Sequence, residues 1–296
     1  MARDEPAARP APEVGVHVEL LVAGSCAQRE ALSRAGGSWR SIAFPALVAL
    51  VRHPRAGVLL FDTGYTERFG EQTRCWPEAA YRYLTPVTLG PGDTARIQLA
   101  ERGIGPDDVG QIVVSHAHAD HIAGLRDFPS ARIVCGAAEL PPGWRGRSRL
   151  TLLRHAVLPG LLPDDFDERR YAASTAPRAA TGLPGPLDTG ADLFGDGSAL
   201  AVDLPGHTAG QLGLFLPVTQ GPPVLLVGDA CWHRTAVTDG QLPPLLVQAG
   251  MADPARYRSS VAALAAVHRA RPDVQIVPSH CADTIALVRE QLGSCG

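Results

Sequence analysis

Three histidines and one aspartate crowd into six residues of the segment Val113-Val114-Ser115-His116-Ala117-His118-Ala119-Asp120-His121. Imidazole nitrogen and carboxylate oxygen are the donors that zinc and other borderline divalent metals prefer. An apolar, strand-like run leads into the cluster. Alternation along an extended chain predicts His116, His118 and Asp120 on one side. Ala117 and Ala119 are small and leave room for close approach. Ten histidines scattered over 296 residues would produce this pattern in about one chain in a thousand. A plain polar turn is therefore the weaker explanation.

Further donors occur in similar settings. Gly206-His207-Thr208-Ala209-Gly210 follows a run ending at Asp203, Gly228-Asp229-Ala230 follows Val224 to Val227, and Ser279-His280 follows Gln275 to Val277. Each lies just past an apolar strand-like run, where loops gather at one edge of a sheet. A lone histidine in such a place is more often structural. Three such places together with the first cluster favour one metal centre.

The elements that must position these residues are mostly short strands. Runs at Val16–Val22, Ala43–Val51, Gly57–Phe61, Gln111–Val114, Ala131–Val134, Ala199–Asp203, Leu212–Leu216, Val224–Val227 and Gln275–Val277 are apolar, many are β-branched, and Gly, Pro or Asp bounds them. Helical patterns lie between. Asp93 is placed to cap a helix carrying Ile97 and Ala100, stopped by Gly103. Asp253, followed by Pro254, is placed to cap a longer one to about Arg269. Ile285, Val288 and Leu292 mark a last helix. These elements predict mixed sheets with helices outside, and leave open whether there are one or two sheets. Residues 159–195, rich in Pro, Gly, Asp and Ala, read as a long loop near the site. Tyr65, Phe69, Trp76, Tyr81 and Tyr83 concentrate in one stretch of a chain with only 5% aromatics, as core or as the wall of an acyl pocket.

Bulk properties exclude some functions. The net charge of −3 disfavours a nucleic-acid partner. All 27 basic residues are arginines. Residues 1–14 read as a disordered tail and 15–296 as the catalytic domain. The tail lacks the apolar core of a secretory signal, and no apolar run is long enough to span a bilayer. No membrane partner is expected, and a cytoplasmic location is the default. Cys26, Cys75, Cys135, Cys231, Cys281 and Cys295 are scattered without a CxxC pair, as free thiols would be.

The order His-x-His-x-Asp-His, Gly-His-Thr-x-Gly, Gly-Asp and a late Ser-His, preceded by Phe61-Asp62-Thr63-Gly64, resembles the metallo-β-lactamase superfamily. The likeness runs from about Val16 to the C-terminus. It implies an αββα sandwich, two mixed sheets flanked by helices, with the active site in a groove at one edge. By that resemblance His116, His118 and His207 bind one metal ion, Asp120, His121 and His280 bind a second, and Asp229 bridges them. Asp62 supports the ligands from behind. The expected ions are two Zn2+, with Fe or Mn as substitutes.

Two such ions can share a water, bring its pKa toward neutrality and stabilise the oxyanion that forms when it attacks. Asp120 and Asp229 are the candidate catalytic carboxylates, Asp120 as a proton carrier. Within the superfamily, Asp229 at the bridging position points away from antibiotic hydrolysis, and His118 away from the flavodiiron branch. The layout most resembles N-acyl homoserine lactone lactonases. Those carry a tyrosine three residues after the bridging aspartate that hydrogen-bonds the substrate carbonyl; this chain has Trp232 there, the third candidate catalytic residue by that resemblance. Indole N–H can donate a hydrogen bond but cannot accept one. The expected substrate is a small acyl lactone, ester or thioester. Alternatives are a phosphodiesterase with a rim of Arg145, Arg147 and Arg149, a mononuclear iron oxygenase, and a metal-binding module without turnover. Dimers are common in related hydrolases, so a homodimer is compatible, though no pattern marks an interface.

Overall fold

The computed structural model describes residues 15–218 and 221–293. The predicted tail of residues 1–14 and Cys295 lie outside that range. Thirteen strands follow in chain order: β1 His17–Arg29, β2 Ser41–His53, β3 Gly57–Phe61, β4 Val87–Thr88, β5 Val109–Val113, β6 Arg132–Cys135, β7 Arg170–Ala172, β8 Arg178–Ala180, β9 Thr189–Asp192, β10 Leu200–Asp203, β11 Leu212–Leu216, β12 Val224–Leu226 and β13 Gln275–Val277. They form two mixed sheets, ordered β4-β1-β2-β3-β5-β6-β7 and β13-β12-β11-β10-β9-β8. In the first, β3, β5, β6 and β7 run parallel. In the second, β12 and β13 are the parallel pair.

Period-two alternation explains why two sheets form rather than one. In β2, Phe44, Ala46, Val48 and Leu50 face one apolar cluster, while Leu47, Ala49 and Val51 face another. That second cluster also holds Leu212, Leu214 and Leu216 of β11, and so lies between the sheets. Phe215 and Leu225 turn the other way, into a third cluster with Tyr257, Val261 and Leu264. A strand buried on both faces reads as a continuous apolar run, as β2 does. Three stacked apolar layers need a sheet at each internal boundary and helices outside, the αββα sandwich.

The helix Pro254–Ala270 starts where Asp253 accepts from the Ala255 and Arg256 N–H groups. The helix predicted to start at Asp93 begins one residue later. Thr94 occupies the cap position of Ala95–Ala100, because the Asp93 carboxylate instead accepts from Gly90 N–H at 2.6 Å. Residues 159–195 are not a loop. They contribute β7 to the edge of the first sheet and β8 and β9 to the second. Strands of three or four residues with Arg, Ala and Gly carry too little alternation to be read from sequence. The aromatic stretch divides: Tyr65 and Phe69 are core, whereas Trp76 and Tyr83 are exposed.

The loop after β10 leans on the start of the helix Pro254–Ala270. Gly206 has φ +137°, and a Cβ there would sit 2.1 Å from Tyr257 N and 2.3 Å from its Cα. Only backbone stands in the way, so no side chain can swing aside. Gly206→Ala should cost about 3 kcal/mol, read as a lower urea midpoint at unchanged slope. An unchanged midpoint would mean that the helix yields.

Candidate metal centre

The candidate residues lie in the segments that follow the ends of strands. β3 runs out at Phe61, and Asp62 takes the left-handed region at φ +60°, which is costly for a residue with a Cβ and is held only by its surroundings. The surroundings are specific. Asp62 Oδ1 accepts from Ser115 N–H at 2.7 Å, and Oδ2 accepts from Ser115 Oγ at 2.8 Å and His121 Nδ1 at 2.7 Å. β5 leads into His116. Strict alternation fails after His118, because the chain turns into a short helix, Ala119–Ile122, with His118 at its cap. Asp120 and His121 therefore ride on a helical turn, and not on the extended face expected for Asp120.

The turn sorts the donors into two groups. His116, His118, His207 and Asp229 have donor atoms within 4.8 Å of one another, as do Asp120, His121 and His280. Asp229 faces both. Its Oδ2 lies 3.3 Å from His207 Nε2 and 4.0 Å from His116 Nε2. Its Oδ1 lies 3.0 Å from His280 Nε2 and 3.3 Å from His121 Nε2. Asp120 Oδ2 is 3.3 Å from His280 Nε2 and 3.6 Å from His121 Nε2. All seven residues predicted as ligands are thus brought together.

The outer nitrogens of His116, His118, His121 and His280 are tied down. His121 Nδ1 donates to Asp62, His280 Nδ1 donates to Pro45 O at 2.8 Å, and His116 Nδ1 lies 3.1 Å from Ser115 Oγ. The His118 ring bonds the His155 backbone. With the proton held on the outer nitrogen, a neutral ring keeps its lone pair on the inner one, as metal ligation needs. Inside, His116 Nε2, His121 Nε2 and Asp229 Oδ1 are buried without a hydrogen-bond partner. Buried polar atoms are seldom left so. A divalent ion would satisfy them, and the residues present fit one.

Charge divides as the donors do. Burial, reinforced by neighbouring imidazoles, holds His116 well below the usual histidine range, and burial draws His118 down to about 4 and His207 to about 3. Those rings are neutral at pH 7 and free to ligate. Burial also works against a charged His121, but Asp120, Asp62 and Asp229 outweigh it and push its pKa up. Asp229 is pulled down by His280 and His121 despite its own burial. Around His121 the carboxylates make a place for positive charge.

Two residues beyond the sequence reading complete the site. Glu139, buried, accepts from Ala117 N–H at 2.9 Å, Thr208 Oγ1 at 2.7 Å and Gly210 N–H at 3.2 Å. It fastens the His116–His121 loop to the His207 loop. Ser115 does the same for Asp62, His116 and His121. Neither belongs to a recognisable spacing, and a single Glu in Gly136-Ala137-Ala138-Glu139 carries no signal. Trp232 Nε1 donates to Asp229 Oδ2 at 2.9 Å. Cys231 is buried, which pushes its thiol far above the range of a nucleophile.

Two cavities open beside the donors. One of about 420 Å³ is lined by Leu140, Trp144, Leu152, Val157 and Met251 with His118 and His207. The other, of about 290 Å³, holds Asp120, Asp229 and His280 with Phe44, Tyr65 and Tyr81. Of the arginines considered as a basic rim, Arg145 pairs with Asp167 and Arg149 with Glu78. Arg147 faces the larger cavity.

Residues 42–280 match the family model of the metallo-beta-lactamase superfamily. The chain belongs to that superfamily. Among superfamily relatives, a probable metallo-hydrolase of Mycobacterium tuberculosis is 30% identical over 79% of this chain and 74% of its own length. The N-acyl homoserine lactonase AttM of Azorhizobium caulinodans is 24% identical over 83% of this chain and 86% of its own. An N-acyl homoserine lactone hydrolase solved with N-hexanoyl-L-homoserine at its catalytic metal centre shares the fold, with a TM-score of 0.65 at 20% identity, covering 97% of this chain and 98% of that one. The superfamily fold and the buried His/Asp clusters support use of a divalent metal by a hydrolase.

Asp62→Asn keeps a residue tolerant of the left-handed backbone but removes the charge behind His121. It should weaken metal retention about 10–100-fold, measured by competition with a chromogenic chelator. In Glu139→Gln, the amide NH2 must face a donor that Glu139 now satisfies. A loss of about 2 kcal/mol in unfolding free energy is expected, and unaltered stability would show that the two loops hold without it.

Proposed function

We propose that this chain is a dinuclear metal-dependent hydrolase that opens a lactone, ester or thioester of a small acyl substrate, with residues 15–296 as one catalytic unit. The observation that carries the reading is Asp229, whose two oxygens each face a different donor cluster. His116, His118 and His207 would hold one ion and Asp120, His121 and His280 the other, with Asp229 shared. Zinc suits this donor set, and iron or manganese would also be accepted. When bound, a pair of divalent ions supplies an activated water near neutral pH and polarises a carbonyl.

The chain's own residues do the rest. Asp120, beside the smaller cavity, takes up a proton and passes it to the leaving oxygen or sulfur. The apolar wall of Leu140, Trp144, Leu152, Val157 and Met251 accepts an acyl chain and excludes water. The lactonase relatives support this substrate class. Phosphodiester hydrolysis is less favoured, because Arg145 and Arg149 are committed to carboxylates.

The test is to purify the protein without chelator and count metals per chain by mass spectrometry. The same sample is assayed on acyl lactones, thioesters and bis(p-nitrophenyl) phosphate. About two ions per chain are expected, with lactone or thioester turnover that chelation abolishes and metal restores. Asp120→Asn should lower kcat about 10²–10⁴-fold. Turnover of the phosphodiester alone would replace the substrate class. A single iron would redirect the search to oxygen chemistry. Full activity after complete metal removal would refute the reading.

A further inference from the structure

Trp232 stands where the two cavities meet. Both are lined by it, together with His118, Ala156, His207 and Val247. Its ring sits edge-on to Phe44, with centroids 6.0 Å apart, and to His207 at 5.9 Å. It is partly buried and packs against two of the apolar clusters. The side chain is therefore held from several sides and forms a fixed wall.

Its one polar group is already engaged. Indole carries a single N–H and no acceptor, and that N–H donates to Asp229 Oδ2 at 2.9 Å. It is not free for a substrate carbonyl. The bond also has a geometric effect. Asp229 follows Gly228, which takes φ +53°, and its carboxylate could rotate about its own axis. Oδ2 is the oxygen near His207 and His116, and Oδ1 the one near His280 and His121. A donor that grips Oδ2 from the side of the cavities holds the carboxylate at the rotation that gives each cluster one oxygen.

We infer that Trp232 is a positioning and specificity residue: its N–H fixes the rotation of the shared carboxylate Asp229, and its ring is the partition that divides the larger acyl cavity from the smaller one. The role rests on the dinuclear hydrolase reading. It predicts a substrate whose scissile group sits at the partition, with an apolar substituent of limited size on either side.

Trp232→Phe keeps the ring and removes the N–H. Competition of the metal-loaded proteins with a chromogenic chelator should show zinc held about 10–100-fold more weakly in the variant. Equal retention would overturn the positioning role. Trp232→Ala should join the cavities and raise the relative kcat/KM for a bulkier acyl ester at least about tenfold, a shift of about 1.4 kcal/mol. An unchanged preference would overturn the partition. A measurement on the unaltered chain guards against variants that fail to fold. The protein has four tryptophans, and with ¹⁵N-labelled tryptophan one indole N–H signal should move on zinc addition. If zinc binds and no indole signal moves, the inference fails while the metal site stands. If the unaltered chain binds no zinc, the dinuclear reading itself falls.

Discussion

The two sheets are locked together at Ser115, and the site depends on that lock. The Ser115 carbonyl accepts from Leu212 N–H at 2.9 Å, tying the loop after β5 to the first residue of β11. Its own N–H and hydroxyl hold Asp62, and the same hydroxyl lies within 3.2 Å of His121 Nδ1 and His116 Nδ1. One small buried residue thus sets the position of the strand ends in one sheet against those in the other. Gly228 closes on it from the second sheet, where a Cβ would come within 2.8 Å of Ser115 Cβ. That approach brings Asp229 across to the candidate donors that follow β5. A slip of either sheet would separate Asp229 from His116 and His121, since a one-residue shift reverses every side chain.

Crowding ionisable groups into so dry a space is expensive unless opposite charge enters with them. The rings of His116, His118 and His207 answer by staying neutral. The Asp120, Asp229 and Asp62 carboxylates instead surround His121, whose charged form they favour. In the absence of a cation the arrangement leaves buried donors and acceptors unpaired. The polypeptide has therefore put destabilising chemistry at the sheet edge, and three apolar layers offset it.

What could be read from sequence followed from local chemistry. The clustering of the candidate donors, their place after apolar runs, and β3, β11 and β13 to the residue were legible because the strands are buried and the donors are rare residue types. The cap at Asp253 was legible because a cap acts within its own turn. Asp93 looked the same, but a competing local bond to Gly90 took its carboxylate. Residues 159–195 were opaque, since β7, β8 and β9 are specified by the neighbours they pair with. Glu139 and Ser115 were opaque for the same reason: each acts by joining segments distant in the chain. Asp120 was placed on the wrong kind of element because alternation assumes an extended chain, and the backbone bonds from His121 and Ile122 to His118 O end that extension.

The apolar walls of the larger cavity belong to different parts of the chain from the candidate donors. Leu140, Trp144, Leu152 and Val157 come from one stretch and Met251 from another, and neither stretch carries a donor atom of the two clusters. Substitution of those wall side chains reshapes the cavity without removing a donor of the two clusters. A chain built on this plan can change the shape of its cavity by small steps while every donor of the two clusters stays in place.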